Sequence, residues 1–280
     1  MEEKQPIVMG IININRESFY APSRRISAEE VCNQYEMMLG EGAEMIDIGA
    51  CSTRPGSTPV TLEQEWDYLK HPLKELHVRA KNSTKAGREF KNIISVDTFR
   101  SEIVRRVYDT IGEFAVNDIS AGEADSQMLK TVAELNLPYI AMHMRGTPDT
   151  MNNLTNYPDG VVNEVVDYFK NFEEKAGAFG INDFVVDPGF GFAKTVEQNY
   201  QMMSGLKEFK KLGHKVLVGI SRKSMIWKLL GITPADALPA TCALNMVALI
   251  NGADILRVHD VREAVQCIKI FKNLKLQGSI

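Results

Sequence analysis

Cysteine is scarce in this chain of 280 residues, and its four copies lie far apart, at Cys32, Cys51, Cys242 and Cys267. None forms a CxxC pair, and no histidine lies at the spacing of a zinc site. The pattern argues against a disulfide scaffold or a zinc module and indicates reduced thiols. We expect inert buried side chains at three of these positions, whereas Cys51 falls in a loop after a predicted strand.

Long apolar runs and an excess of positive charge are also missing. No run approaches the roughly 18 residues of a membrane helix, and residues 1–6 are polar and lead directly into a strand-like run, which argues against a signal peptide. The 32 basic and 36 acidic residues are interspersed and give a net charge of -4, so there is no basic footprint for nucleic acid. We therefore expect a cytoplasmic protein with small-molecule partners, without nucleic acid or membrane contact.

No stretch rich in proline, glycine and serine divides the chain, although its length allows one large domain or two small ones. The longest strongly polar stretch, residues 79–92, has the length of one elaborated connection and lies between two apolar patterns. We predict a single domain over residues 1–280.

Short apolar runs rich in isoleucine and valine recur along the whole chain, and most are followed by helical periodicity. The eight runs occupy residues 7–14, 45–50, 93–97, 114–119, 137–143, 184–187, 216–221 and 255–259. Between them, Ser27 with Glu30 predicts a capping box, and Thr61 with Gln64 predicts a second. The stripes of Met and aromatic residues at helical spacing indicate core packing, and we assign them no chemistry.

Continuously apolar strands that alternate with helices predict a parallel sheet, and eight such units predict an α/β fold of the single eightfold TIM-barrel type. A doubly wound open sheet is the alternative. The barrel is favoured because nearly every run ends in or near a candidate functional side chain, and only a barrel brings all strand ends to one mouth. These side chains are Asn13, Asp47, Asp97, Asn117, His143, Asp187, Ser221 and His259. We expect the active site at the carboxyl ends of the strands.

Two carboxylates, Asp97 and Asp187, and the carboxamide of Asn117 form the first candidate set. A carboxylate accepts paired hydrogen bonds from an aminopyrimidinone edge, and asparagine offers both a donor and an acceptor, so the set suits a planar heterocycle. The apolar residues around it are expected to include Ile119, Met142 and Phe192. The alternative is that the three polar side chains cap strand ends or pair with basic neighbours.

Arg257 and His259 alternate along the last strand and so share a face, which barrel closure brings next to Asn13 on the first strand. Arginine offers two donors to phosphate oxygens, and asparagine can ligate a magnesium ion that bridges a diphosphate. The set predicts an anion site. Taken alone, His259 would instead be a core histidine.

The run from Ser221 to Lys223 ends the seventh strand and precedes a helix. Lys223 is placed to contact the ring of the heterocycle or to act as a point charge, and Arg222 is placed to reach an anionic second substrate. A surface basic pair is the alternative, and a Schiff base at Lys223 is conceivable. Two connections rich in Ser, Pro and Arg, residues 15–25 and 51–60, predict mobile loops that close over a substrate, with disordered surface as the alternative.

At these positions the sequence resembles the dihydropteroate synthase family, from the first strand to the last and without a large gap. The motifs of the first half are Met9-Gly10-Ile11-Ile12-Asn13, Asp47-Ile48-Gly49 with Ser52-Thr53-Arg54-Pro55-Gly56, Ser95-Val96-Asp97-Thr98 and Asn117-Asp118-Ile119-Ser120. Those of the second half are Met142-His143-Met144-Arg145-Gly146-Thr147-Pro148, Asp187-Pro188-Gly189-Phe190-Gly191-Phe192-Ala193-Lys194-Thr195, Ser221-Arg222-Lys223 and Arg257-Val258-His259-Asp260. One short motif is weak, but this many in the family's order are specific.

The resemblance implies an enzyme of folate biosynthesis that joins 6-hydroxymethyl-7,8-dihydropterin pyrophosphate to para-aminobenzoate and releases pyrophosphate. It implies that the pterin is held by Asp97, Asn117, Ile119, Met142, Asp187 and Lys223. The diphosphate would be held by Asn13, Arg257 and His259, with Asn13 as a ligand of Mg²⁺. The amine pocket, where sulfonamides would compete, would be shaped by Thr53, Arg54, Pro55, Phe192, Ser221 and Arg222. The family also suggests a homodimer.

The chemistry implied by the resemblance is dissociative, with the diphosphate leaving before the aromatic amine attacks a pterin cation. Asp97 and Asp187 would stabilise the developing positive charge, and Lys223, Arg257 and His259 complete the implied catalytic set. The first loop departs from the family, because Asn15-Arg16-Glu17-Ser18-Phe19 replaces a Thr-Pro-Asp-Ser-Phe run, and Cys51 replaces a larger polar residue. A silent pterin-binding paralogue, a pterin-dependent methyltransferase domain and a Schiff-base aldolase remain as alternatives.

Overall fold

Eight parallel strands close into a barrel in the computed structural model, which describes residues 5–14, 27–51, 58–82 and 94–278. The strands are β1 (Ile7–Asn13), β2 (Met45–Gly49), β3 (Ile94–Asp97), β4 (Ala115–Asp118), β5 (Tyr139–Met142), β6 (Val185–Asp187), β7 (Lys215–Val218) and β8 (Ile255–Val258). Each strand pairs with its neighbours in sequence, and β8 pairs in parallel with β1. The predicted barrel is confirmed, and the open-sheet alternative is wrong.

The described residues contain ten α-helices, most of them between consecutive strands. They are α1 (Ala28–Glu41), α2 (Leu62–Asn82), α3 (Ser101–Ile111), α4 (Met128–Glu134), α5 (Val161–Gly177), α6 (Val196–Ser204), α7 (Leu206–Lys210), α8 (Ser224–Leu230), α9 (Leu238–Ile250) and α10 (Val261–Leu276). Two connections hold two helices each, α6 with α7 and α8 with α9. Short 3-10 turns occupy Met151–Asn153 and Ala235–Ala237.

Both predicted capping boxes are present. Glu30 N donates to Ser27 Oγ at 3.1 Å, and Ser27 N donates back to Glu30 Oε2 at 2.7 Å. Thr61 and Gln64 form the same reciprocal pair at 2.9 and 3.2 Å. Each box satisfies amide donors that the first helical turn cannot satisfy itself, and so fixes where α1 and α2 begin.

The two faces of each strand belong to different apolar layers. Outward side chains such as Ile12, Ile46 and Val96 pack in the main core between the barrel and its helices. Inward side chains form a separate cluster inside the barrel, in which Met9 and Ile255 are members. The strands are therefore apolar on both faces, which is why their sequences show no alternation.

The inward-facing side chains change from apolar to polar along the strands. Met45, Val185 and Ile255 lie on or against the interior cluster. Two positions further toward the carboxyl end stand Asp47, Asp187 and Arg257, on β2, β6 and β8. Because side chains alternate with a period of two, a polar layer lies directly above an apolar one.

No single helix in the described part of the chain is both long and apolar enough to cross a membrane. One bent pair, Ser224–Leu230 with Ala235–Ile250, reaches that length and apolar character only when its two segments are taken together.

Candidate active site at the carboxyl ends of the strands

An arginine joins two carboxylates within the mouth of the barrel. Arg257 Nη2 lies 2.5 Å from Asp47 Oδ2 and 2.9 Å from Asp97 Oδ2, and Arg257 Nε donates to Asp47 Oδ2 at 2.7 Å. Asn117 Nδ2 donates to the same Asp47 oxygen at 3.0 Å. The Arg257 side chain on β8 thus reaches past β1 to Asp47 on β2 and Asp97 on β3. Asn117 on β4 joins the same cluster through Asp47.

The sequence predicts Asp47 only as a polar residue at a strand end, whereas the structure places it at the centre of this cluster. Its side chain is completely buried, and its Oδ1 has no hydrogen-bond partner among the described residues. Buried polar atoms in proteins are nearly always paired, so this oxygen is an exception within the barrel. The available signal was its register, since Asp47 lies two residues after the inward-facing Met45.

The charges of this cluster are set by burial and by the ion pairs. Burial raises the pKa of Asp97 to about 7, against the opposing effect of Arg257 and with a contribution from Asp47. For Arg257, burial lowers the pKa, but Asp47 and Asp97 outweigh it, and the pKa is raised. Arg257 therefore stays charged while the Asp97 carboxyl exchanges its proton near neutral pH.

Lys223 adds a second cation from the loop after β7. Its Nζ donates to the carbonyl oxygen of Phe190 and lies 4.7 Å from the centre of the Phe192 ring. Burial lowers the pKa of Lys223 to about 8, and the nearby Asp187 opposes this shift. Burial likewise raises the pKa of Asp187, with Lys223 opposing. The two predicted pterin residues are therefore close enough for each to favour the charged form of the other.

Apolar side chains form one wall of the mouth. Ile119, Met142 and Phe192, which were predicted to line the pocket, belong to one buried cluster. The other members are Met144, Met151 and Ala193, with Phe99 packed against them. Residues from three different strand ends thus form one apolar cluster at the mouth.

Ser221 and His259 meet where β7 and β8 end. His259 N donates to Ser221 Oγ at 3.2 Å, and His259 Nδ1 lies 3.1 Å from the same oxygen. Asn13 ends β1 and is exposed, as is His259. Arg257, the third member of the predicted anion set, is engaged with Asp47 and Asp97.

Arg222 is held by protein groups on every side. Its Nε and Nη2 donate to the two carboxylate oxygens of Asp260, each at 2.9 Å, and its Nη1 donates to the carbonyl oxygens of Pro234 and Ala235 at 3.1 and 2.6 Å. Its backbone is left-handed, with φ of 53°. The predicted reach to an anionic substrate would require these bonds to break, so Arg222 ties the loops after β7 and β8 together in this structure.

Cys51 lies beside an ion pair at the edge of the mouth. Arg100 pairs with the buried Glu65, and its Nη1 lies 3.5 Å from Cys51 Sγ while its Nη2 donates to the Val60 carbonyl oxygen at 2.6 Å. Burial raises the pKa of Cys51 to about 12, and Glu65 adds to the shift. Cys51 is therefore a thiol rather than a thiolate.

Part of the predicted site lies outside the described residues. The structure does not describe Thr53, Arg54 and Pro55 of the expected amine pocket, or residues 15–25 of the first loop. Their roles stay predictions.

Known proteins resemble the whole of this arrangement. The model of the pterin-binding enzyme family matches residues 9–259. The dihydropteroate synthase of Synechocystis sp. is 37% identical over 270 residues, which cover 95% of this chain and 89% of that protein. The chain belongs to the dihydropteroate synthase family.

Solved structures of dihydropteroate synthases share the fold as well. The Yersinia pestis enzyme with a sulfonamide drug has a TM-score of 0.87 and 32% identity, with 97% of this chain and 95% of that chain covered. The Xanthomonas albilineans enzyme with 4-aminobenzoic acid has a TM-score of 0.84 and 31% identity, with 97% and 93% covered. Family membership makes this chain a pterin-binding transferase. The role of each single residue in binding pterin, diphosphate or amine stays a prediction.

Proposed function

We propose that this dihydropteroate synthase condenses 6-hydroxymethyl-7,8-dihydropterin pyrophosphate with para-aminobenzoate, giving 7,8-dihydropteroate and pyrophosphate for folate synthesis. The observation that carries the proposal is the cluster of Asp47, Asp97, Asn117 and Arg257 beside an apolar wall. It offers acceptors, donors and a flat surface in one pocket, which is what a planar heterocycle requires.

The hydrogen-bonding groups of the pterin ring match those of the polar layer. Its aminopyrimidinone edge presents adjacent N–H donors, and the carboxylates of Asp97 and Asp187 are acceptors suited to them. The carboxamide of Asn117 adds an acceptor and an amide donor at the same level. Ile119 and Met142 supply the surface on which the ring packs.

The reaction needs charge stabilisation rather than a protein nucleophile. The bond between the pterin methylene carbon and the diphosphate oxygen breaks, and the leaving diphosphate takes the electron pair. The amine nitrogen then forms the new C–N bond and loses a proton. Asp97 and Asp187 stabilise the cation between these steps, and Lys223, Arg257 and His259 supply positive charge and donors for the departing anion.

Magnesium is the cofactor that we propose for the diphosphate. Among the described residues, no group of three or more His, Cys, Asp or Glu side chains is arranged to hold a metal ion. Asn13 fits a different kind of site, since it is an exposed oxygen ligand at the end of β1. Magnesium keeps several waters and takes its remaining ligands from one or two protein groups and substrate phosphates. Bound there, it would neutralise part of the diphosphate charge.

A homodimer and a cytoplasmic location complete the proposal. The dimer is supported by the exposed side of α9, where the solvent-facing residues Pro239, Ala243, Val247 and Ile250 are all apolar. An exposed apolar stripe of this kind is typical of a protein interface. Imaging of a fluorescent fusion would test the location.

The test is a coupled assay with purified protein, magnesium, the pterin pyrophosphate and para-aminobenzoate, in which dihydropteroate and pyrophosphate are both measured. We expect amine-dependent product, and a loss of at least roughly a hundredfold in kcat/KM for Asp97→Asn and Arg257→Ala, because each removes a buried charge. Asp167→Asn, on the surface of α5, is the matched control and should keep full activity. Pterin binding without product would instead favour the silent paralogue or the methyltransferase domain.

A further inference from the structure

Lys194 is a buried side chain that the proposed chemistry does not use, and burial lowers its pKa to about 7, against the opposing effect of Asp187. It ends the loop between β6 and α6 and is 8% exposed. Its Nζ donates to the carbonyl oxygens of Gly189 and Phe192, each at 3.0 Å, and lies 3.0 Å from His143 Nδ1. An ammonium group has three donors, so all three are directed at protein acceptors.

His143 is suited to be the third acceptor. It is 2% exposed, and burial, with a smaller contribution from Lys194, lowers its pKa well below the usual value. The ring is therefore neutral, and a neutral imidazole can carry its proton on Nε2 and accept at Nδ1. The backbone holds it in place, because His143 N donates to the Asp187 carbonyl oxygen at 3.0 Å.

The loop around Lys194 has an unfavourable backbone. Gly189, Gly191 and Ala193 all have left-handed φ values, of 71°, 81° and 49°. Alanine pays a steric cost in this region, and such conformations persist only when surrounding contacts enforce them. The carbonyl oxygens at Gly189 and Phe192 turn inward to one point, and the Lys194 ammonium occupies that point.

The same loop carries groups that face the substrates. Gly189 N donates to Asp187 Oδ1 at 2.8 Å. Phe190 provides the carbonyl oxygen that accepts from Lys223 Nζ, and the Phe192 ring lies against that ammonium. The shape of the loop therefore sets the positions of Lys223 and Phe192 together.

We propose that Lys194 is a positioning residue of the synthase, whose amino group fixes the loop after β6 and thereby places Phe192 at the amine pocket and Lys223 beside it. The proposal rests on the proposed function, because it concerns the binding of para-aminobenzoate. The pterin site should depend on Lys194 less, because Asp97, Asn117, Ile119 and Met142 come from other strand ends and only Asp187 and Lys223 contact this loop.

The test compares Lys194→Met, which keeps the length of the side chain, with Lys194→Gln, which keeps an amide with two N–H donors. We expect KM for para-aminobenzoate to rise about tenfold or more for Met and less for Gln, while kcat and the Kd of the pterin pyrophosphate change less than about threefold. If Lys194→Met does not fold, Lys194→Gln alone must show the rise in KM. Lys170→Met, at a surface ion pair on α5, is the matched control.

Two results would overturn the proposal. One is a folded Lys194→Met or Lys194→Gln protein with KM for the amine within about twofold of wild type. The other is an equal loss in kcat and in the affinity of both substrates, which a general structural defect would cause. A wild-type protein that makes no dihydropteroate would instead refute the proposed function, so the two failures are distinguishable.

Discussion

We expect the titration of Asp97 to change the activity and the stability of this enzyme in opposite directions. Its pKa is raised from the ordinary value to about 7, chiefly by burial. Between the unfolded value near 4 and about 7, the native state therefore binds more protons at Asp97 than the unfolded chain does. The stability that this group contributes is present at low pH and is lost as the pH rises through about 7. The charged form, which our proposal requires for stabilising the pterin cation, dominates only above that pH.

We predict that kcat/KM for the pterin substrate falls as the pH is lowered through about 7, while the free energy of unfolding of the wild type falls as the pH is raised over the same range. Urea unfolding at about pH 5 and pH 7.5 measures the second effect by comparison with Asp97→Asn, whose side chain does not titrate. A difference in stability between the two proteins that is independent of pH would contradict the prediction.

At the scale of the elements, much could be predicted from the sequence. The apolar runs predicted all eight strands, and the spacing of Ser27 and Glu30 predicted where α1 begins. The capping box of Thr195 and Gln198 and the paired helices between β6 and β7 were not predicted. The direction of Arg257 was not predicted either, because register fixes which face a side chain leaves from but not which neighbours a long side chain reaches. The importance of Lys194 depends on three tertiary contacts that no spacing reveals.

The loop after β6 should be the least tolerant element of the mouth. At Gly189 (φ 71°), a Cβ atom would overlap the His143 carbonyl oxygen, which is backbone and cannot move away. Gly180 (φ 83°) has a similar left-handed conformation but nothing within 4 Å of such an atom. Alanine at Gly180 would therefore report the cost of the left-handed backbone alone, whereas alanine at Gly189 would add the steric clash with His143.

We predict that Gly180→Ala lowers the free energy of unfolding by about 1 kcal/mol, and that Gly189→Ala lowers it by roughly 3 kcal/mol or more. Chemical denaturation of the two variants measures this difference. Equal losses in both would mean that the loop after β6 relaxes freely around an added methyl group.

At the scale of the whole molecule, the closed barrel explains why residues far apart in sequence form one site. It also leaves α9 with an exposed stripe of apolar residues that no described element covers. A second copy of the chain would remove this stripe from water at both partners, since a twofold interface uses the same patch twice.

We predict that Val247→Asp converts the proposed dimer into a monomer, because each copy would bring a carboxylate into an apolar interface. Sedimentation equilibrium measures the change, and Lys269→Asp on an exposed position of α10 is the control that should remain dimeric. A wild type that sediments as a single chain at every concentration would refute the dimer itself.

The bond between Arg257 and Asp47 joins residues 210 positions apart. During synthesis, Asp47 and Asp97 leave the ribosome long before the guanidinium of Arg257 that pairs with both. A chain without its last strand therefore has a reason not to close early, since closure would bury Asp47 and Asp97 together without this counter-ion. The polar layer that we propose for substrate binding would thereby also favour closure of the barrel only after β8 has been added.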